Sequence, residues 1–204
     1  MPVWFRPMEL ERDSARVIAY ARDLFAISFG GTRFADEFGD DGSAYIAWVR
    51  EKQALSRANA ALALLDGEPA GMVLLGPWLH HPGTGYVYHF YLEPGARGRG
   101  LGPELDRYAV STLRRQGFEV ARLSVAGTNA RALRAYTRQG WAHAGARPDQ
   151  PGILYMEKRL GEPRSAGTRL ISPQAARPTG NQPATTLSLN SLNGIVGERR
   201  SSQK

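Results

Sequence analysis

Residues Tyr86–Gly102 read YVYHFYLEPGARGRGLG, an aromatic run that meets a turn and passes into a loop rich in glycine and arginine. Tyr86–Leu92 has the composition of a strand, Glu93-Pro94-Gly95 that of a turn, and Gly100–Gln116 reads as a helix stopped by Gly117. Successive amides in a glycine-rich turn, backed by a helix N-terminus, make a site for phosphate oxygens. Glycine lets the backbone approach the anion and take positive φ. Arg97 and Arg99 add positive charge, and Pro103 is tolerated in a first helical turn. Two other phosphate-binding patterns fail here. The P-loop needs Gly-Lys-Ser/Thr, which does not occur. A dinucleotide fingerprint started at Gly98 puts its third glycine at Pro103, and one started at Gly100 puts it at Leu105.

Outward from this loop the chain alternates strands and helices. Val3–Arg6 reads as a strand, and Glu9–Phe29 as a helix through Val17, Ile18, Ala21, Leu24 and Phe25. Ser43–Ala58 reads as a second helix. Ala60–Leu65 and Ala70–Leu75 flank an Asp66-Gly67 turn and form a hairpin. Val120–Val125 is a strand, Ala130–Gln139 a helix ended by Gly140, and Trp141–Ala144 and Ile153–Glu157 the last strands. The order β-α-α-β-β-β-α-β-α-β-β gives a mixed α/β sheet flanked by helices.

The formal charge is +7, and residues 161–204 hold six Lys/Arg against two Asp/Glu. That segment has no aromatic residue and is dominated by Pro, Gly, Ser, Asn, Thr and Arg, so it cannot offset its ordering entropy by burial. The expected organisation is a domain over 1–160 and a disordered basic tail over 161–204, with Leu187–Val196 its most ordered stretch. The tail's sparse charge and lack of stacking residues argue against a nucleic-acid partner. The chain has no cysteine, which excludes disulfides, thiolate metal sites and a cysteine nucleophile. With no apolar leader and no membrane-length run, the expected location is the cytoplasm.

Two motifs together resemble the GNAT superfamily of acyl-CoA-dependent N-acyltransferases, across roughly residues 3–160. The first is Arg97-x-x-Gly100-x-Gly102 between a strand and a helix. The second, about thirty residues on, is Leu123-Ser124-Val125 followed by Asn129, Tyr136 and Gly140-Trp141. The resemblance implies a GNAT-like sheet whose parallel strands Tyr86–Leu92 and Val120–Val125 splay apart. Acetyl-CoA would be the acyl donor, its pantetheine pairing with main chain at Tyr91 and Leu92. Its pyrophosphate would lie on Gly98, Arg99, Gly100, Leu101 and Gly102, beside Arg97, with Asn129 near the thioester.

The resemblance further implies direct transfer to a primary amine of a small molecule or peptide. Tyr136 would protonate the leaving thiolate, and Tyr86 or Tyr88 would relay the amine proton through water. His89, of opposite parity, is expected on the other face as a packed residue. His80 and His81, beside Trp78, read as solvated loop residues, with the rim of the acceptor pocket as the alternative, and no metal site is expected. Asp36, Glu37, Asp40 and Asp41 crowd the loop between the first two helices; they read as solvated loop residues, with attraction of a cationic amine at the acceptor site as the alternative. Phe25, Phe29, Phe34 and Phe38 suit an apolar acceptor pocket or the core equally. The competing reading is a non-catalytic acyl-CoA sensor of the same fold. A homodimer is compatible with either.

Overall fold

The computed structural model describes residues 3–29, 31–78 and 81–161. The stretch expected as a tail beyond Gly161, with Leu187–Val196, and His80 lie outside the described residues.

A seven-stranded sheet runs through the domain in the order β1-β2-β3-β4-β5-β7-β6. Its strands are β1 (Val3–Pro7), β2 (Ala60–Leu65), β3 (Glu68–Pro77), β4 (Thr84–Leu92), β5 (Val120–Ala126), β6 (Ala142–Ala146) and β7 (Ile153–Arg159). The helices are α1 (Leu10–Phe29), α2 (Arg33–Phe38), α3 (Ser43–Leu55), α4 (Gly102–Arg115) and α5 (Ala130–Arg138). The expected order holds with one addition. The short helix α2 occupies the stretch expected as a loop.

Sheet alternation divides the core into two layers. Leu62, Met72, Leu74 and Tyr91 face α1–α3 and pack with Val17, Phe25, Tyr45 and Trp48. Val73, Leu75, Val87, Leu123 and Met156 face the other way and pack with Leu105, Ala109 and Leu113 of α4. The Asp66-Gly67 hairpin forms as expected, with Asp66 at φ 54°.

Among the described strands only β4 and β5 pair in parallel, over a short length, Thr84–Val87 against Val120–Leu123. Beyond Val87 and Leu123 the two strands part. The register between β3 and β4 also slips at this point: Leu75 faces Val87 and Leu74 faces His89, leaving Tyr88 as an extra residue. Such a bulge bends its strand and re-aims the side chains after it.

A charged contact ties β1 to α1. Both oxygens of the buried Asp13 accept from Arg6, at 2.6 and 2.9 Å, and Oδ2 also accepts from the Glu9 N–H. The Arg6 bond outweighs the cost of burial and holds the Asp13 pKa down at about 2. A depressed folded pKa stabilises above the unfolded value near ~3.9 and loses that contribution as pH falls through about 2. Asp13→Asn should therefore cost about 2 kcal/mol at pH 7. Urea midpoints of the two proteins should converge on acidification toward pH ~2.

Candidate active site

The parting of β4 and β5 opens a cleft of about 1060 Å³. It is lined from both sheet faces, by Phe25, Trp48 and Tyr88 on one side and Leu105, Ala132 and Tyr136 on the other. At one end stands the glycine loop. Gly98 and Gly100 have φ of 80° and 82°, and an added Cβ at either would meet nothing within 4 Å. The main-chain N–H groups of Gly98, Gly100, Leu101 and Gly102 donate to no described residue. A row of unpaired amides at the start of α4 is an anion site by construction.

The two arginines of the loop are placed differently from the expectation. Arg97 lines the cleft but donates from Nε to the Leu92 carbonyl (2.8 Å) and from Nη2 to Asp23 (2.7 Å). Tyr91 donates to the same Asp23 oxygen at 2.8 Å. Arg97 thus braces the loop against α1, with its charge balanced by Asp23. Arg99 does not line this cleft and borders a shallow groove with Val3, Leu65 and Glu104. The cationic residues that line the cleft from α5 are Arg131 and Arg138, which no sequence motif singles out.

Asn129 begins α5 and lines the cleft, its side-chain oxygen accepting from the Ala132 N–H at 3.0 Å. That cap leaves the amide NH2 for a ligand. Tyr136 lies further along the same helix, its ring near those of Phe90 and Trp141. The Tyr136 hydroxyl has no hydrogen bond to any described residue. Burial, with the Asp106 carboxylate adding to it, pushes its pKa up to about 12. Asp106 itself accepts from Trp141 and from Lys158, each at 2.7 Å. Tyr136 is therefore a phenol at the cleft wall that keeps its proton at neutral pH.

Tyr86 and Tyr88 both line the cleft, and both are held as neutral phenols. The Tyr86 hydroxyl shares a hydrogen bond with Ser124 Oγ at 2.6 Å, and burial raises its pKa. Tyr88 donates to the Pro77 carbonyl at 3.0 Å, and burial raises it strongly. His89 corrects the parity argument. The Tyr88 bulge turns it to the same face as Tyr88, and both rings lie against the Trp48 indole. There it is buried and its Nδ1 shares a hydrogen bond with Tyr45 (2.9 Å). Desolvation drives its pKa down to about 3, so the imidazole stays neutral. The expectation of a packed, hydrogen-bonded residue holds; its face does not.

The other end of the cleft is aromatic. Phe25, Phe29 and Phe38 line it, whereas Phe34 sits in the core alone. Trp78 closes one side, with His81 stacked on it at 4.0 Å. Arg147, in the turn after β6, is buried against the cleft and held bidentately by Asp149 at 2.9 and 3.0 Å. Glu37 of α2 also lines this end. Burial pushes its carboxyl up against the opposing pull of Arg33 and Arg147. The described residues hold no group of three or more His, Cys, Asp or Glu suited to a metal ion, and none of their helices is long and apolar enough to cross a membrane.

Residues 18–141 match the model of the Acetyltransferase (GNAT) family. Mycothiol acetyltransferase of Beutenbergia cavernae is 39% identical over 82 residues, covering 39% of this chain and 28% of that protein. Streptothricin acetyltransferase of Streptomyces lavendulae is 32% identical over 114 residues, 55% of this chain and 57% of that protein. The chain thus spans from about a quarter to just over half the length of these curated relatives. Among solved structures, Salmonella typhimurium YncA with acetyl-CoA superposes with a TM-score of 0.62 at 20% identity, covering 86% of this chain and 100% of that one. The PaiA N-acetyltransferase of Thermoplasma acidophilum with coenzyme A gives 0.56, also at 20% identity, over 78% and 99%. At such identity these two speak for the shared fold.

Proposed function

Because the chain belongs to the GNAT family of acetyltransferases, we propose that it transfers the acetyl group of acetyl-CoA to a primary amine of a small molecule or peptide by direct attack. The observation that carries this reading is the parting of β4 from β5 between the glycine-loop amides of Gly98, Gly100, Leu101 and Gly102, which bond to no described residue, and the Tyr136 hydroxyl. The first suits a pyrophosphate and the second a leaving thiolate, and one cleft joins them. Binding of acetyl-CoA or coenzyme A by two proteins of the same fold supports the donor.

In this reading the glycine-loop amides hold the pyrophosphate and the β4 main chain at Tyr91 and Leu92 pairs with pantetheine. A β4 N–H, that of Leu92, polarises the thioester carbonyl as the amine nitrogen attacks. The carbon–sulfur bond breaks, and Tyr136 gives its proton to the thiolate. Tyr86 and Tyr88, neutral and already hydrogen-bonded, shape the acceptor side and relay protons through water rather than abstracting them.

Release of free thiol from acetyl-CoA against a panel of polyamines, aminoglycosides, aralkylamines, amino acids and peptides tests the proposal. Acceptor-dependent release supports it. Tight acetyl-CoA binding without release across the panel points to a sensor instead, and absence of binding sinks both readings. The cleft's α5 cations give a second check. Reversing both Arg131 and Arg138 to Glu should raise the acetyl-CoA KM about tenfold at low ionic strength. The defect should shrink toward 0.5 M salt, since exposed charges are screened.

A further inference from the structure

Glu37 is set apart from the other acids around it. Asp36, Asp40 and Asp41 are exposed, with Asp36 accepting from Thr32 and Asp41 from the Ser43 N–H. Glu37 points the other way, into the aromatic end of the cleft, with its side chain only 13% exposed. Its Oε2 is the one buried side-chain polar atom among the described residues without a hydrogen bond. The nearest cation, Arg33 Nε, stands at 3.9 Å, beyond hydrogen-bonding distance. A carboxylate removed from water and left without a donor is costly, and such atoms are rare in folded proteins. At a cleft wall the missing donor can come from a ligand.

The surroundings select the kind of ligand. Phe25, Phe29, Phe38 and Trp48 line the cleft with Glu37, and ring faces attract ammonium and guanidinium groups. Of the two cations that act on Glu37, Arg33 stands at 3.9 Å and Arg147 is held bidentately by Asp149, so an anion brought to the same wall would meet the Glu37 carboxylate. We propose that Glu37 is the specificity residue of the acceptor site, and that it binds a cationic group of the amine acceptor. This rests on the acetyltransferase reading above and narrows its acceptors to amines that carry a cationic group beside the nitrogen that is acetylated. The short helix α2 is the device that delivers it. A solvated loop would have left Glu37 among its exposed neighbours.

The test compares wild type, Glu37→Gln and Glu37→Asp for steady-state transfer to a diamine, an aminoglycoside and a small aralkylamine. Acetyl-CoA affinity and melting temperature are measured alongside. Loss of a charge-assisted hydrogen bond should raise the acceptor KM of Glu37→Gln about 10- to 100-fold. Glu37→Asp should recover part of it, and acetyl-CoA affinity should stay within about twofold. A purely structural role would move the melting temperature and both substrates together. Wild-type turnover that Glu37→Gln leaves unchanged for every acceptor overturns the assignment while sparing the acetyltransferase reading. Acetyl-CoA binding without turnover on any acceptor brings down both.

Discussion

Tyr136→Phe should lower kcat about 100-fold while leaving the KM for acetyl-CoA and the melting temperature close to wild type. The magnitude is that of losing one positioned proton donor. Stability should survive because the hydroxyl bonds to no described residue, and the ring contacts with Phe90 and Trp141 do not involve it. The direction follows from protonation. With its pKa pushed up to about 12, Tyr136 remains a donor across the working range and cannot serve as a base there. Steady-state kinetics beside thermal melts decide the matter. A variant with wild-type kcat would remove Tyr136 from the chemistry. A variant that melted early would mean that the hydroxyl is a structural group.

The second large effect is expected at a sheet glycine directly behind the β4 main chain assigned to the donor. Gly71 of β3 faces Leu92 of β4, and a Cβ added there would stand 2.3 Å from the Tyr91 main-chain oxygen. The side chain of Leu92 would lie at 2.9 Å and its Cα at 3.3 Å. A carbonyl of the sheet cannot rotate away as a side chain can, so β3 and β4 must separate. Gly71→Ala should cost about 3 kcal/mol. In a domain of this size that lowers Tm by about 10 °C. Acetyl-CoA binding should weaken as well, since the displaced segment, Tyr91–Leu92, is the one assigned to pantetheine. Gly95→Ala is the control: nothing lies within 4 Å of its added Cβ, and the change should be near neutral. Circular dichroism melts and an acetyl-CoA titration of both variants measure the contrast. Equal melting temperatures would show that the strands separate without cost.

Local chemistry made much of this architecture readable. The Asp66-Gly67 turn, the glycine ends of α4 and α5 and the loop at Gly98–Gly102 depend on residues within a few positions of one another. What escaped was non-local or too short to show a period. Helix α2 has six residues, less than two turns, so no apolar repeat can announce it. The bulge at Tyr88 sits in a run of aromatic residues that reads equally well as an unbroken strand, and counting parity through it misplaced His89. The motif around Arg97 does not show that its charge is balanced, because its partner, Asp23, lies on α1, 74 residues earlier. Arg147 reaches the cleft only because β7 inserts between β5 and β6, an order that no local motif records.

That bulge has a further consequence. Without Tyr88, Val87 and His89 would be adjacent, and their pairings with Leu75 and Leu74 would already alternate correctly. The inter-strand ladder therefore does not require the residue; the bend does. Alignment between strands and curvature of the sheet are encoded by separate letters of β4. A change in chain length at this single position would act on shape while leaving the partners of every other β4 residue in step.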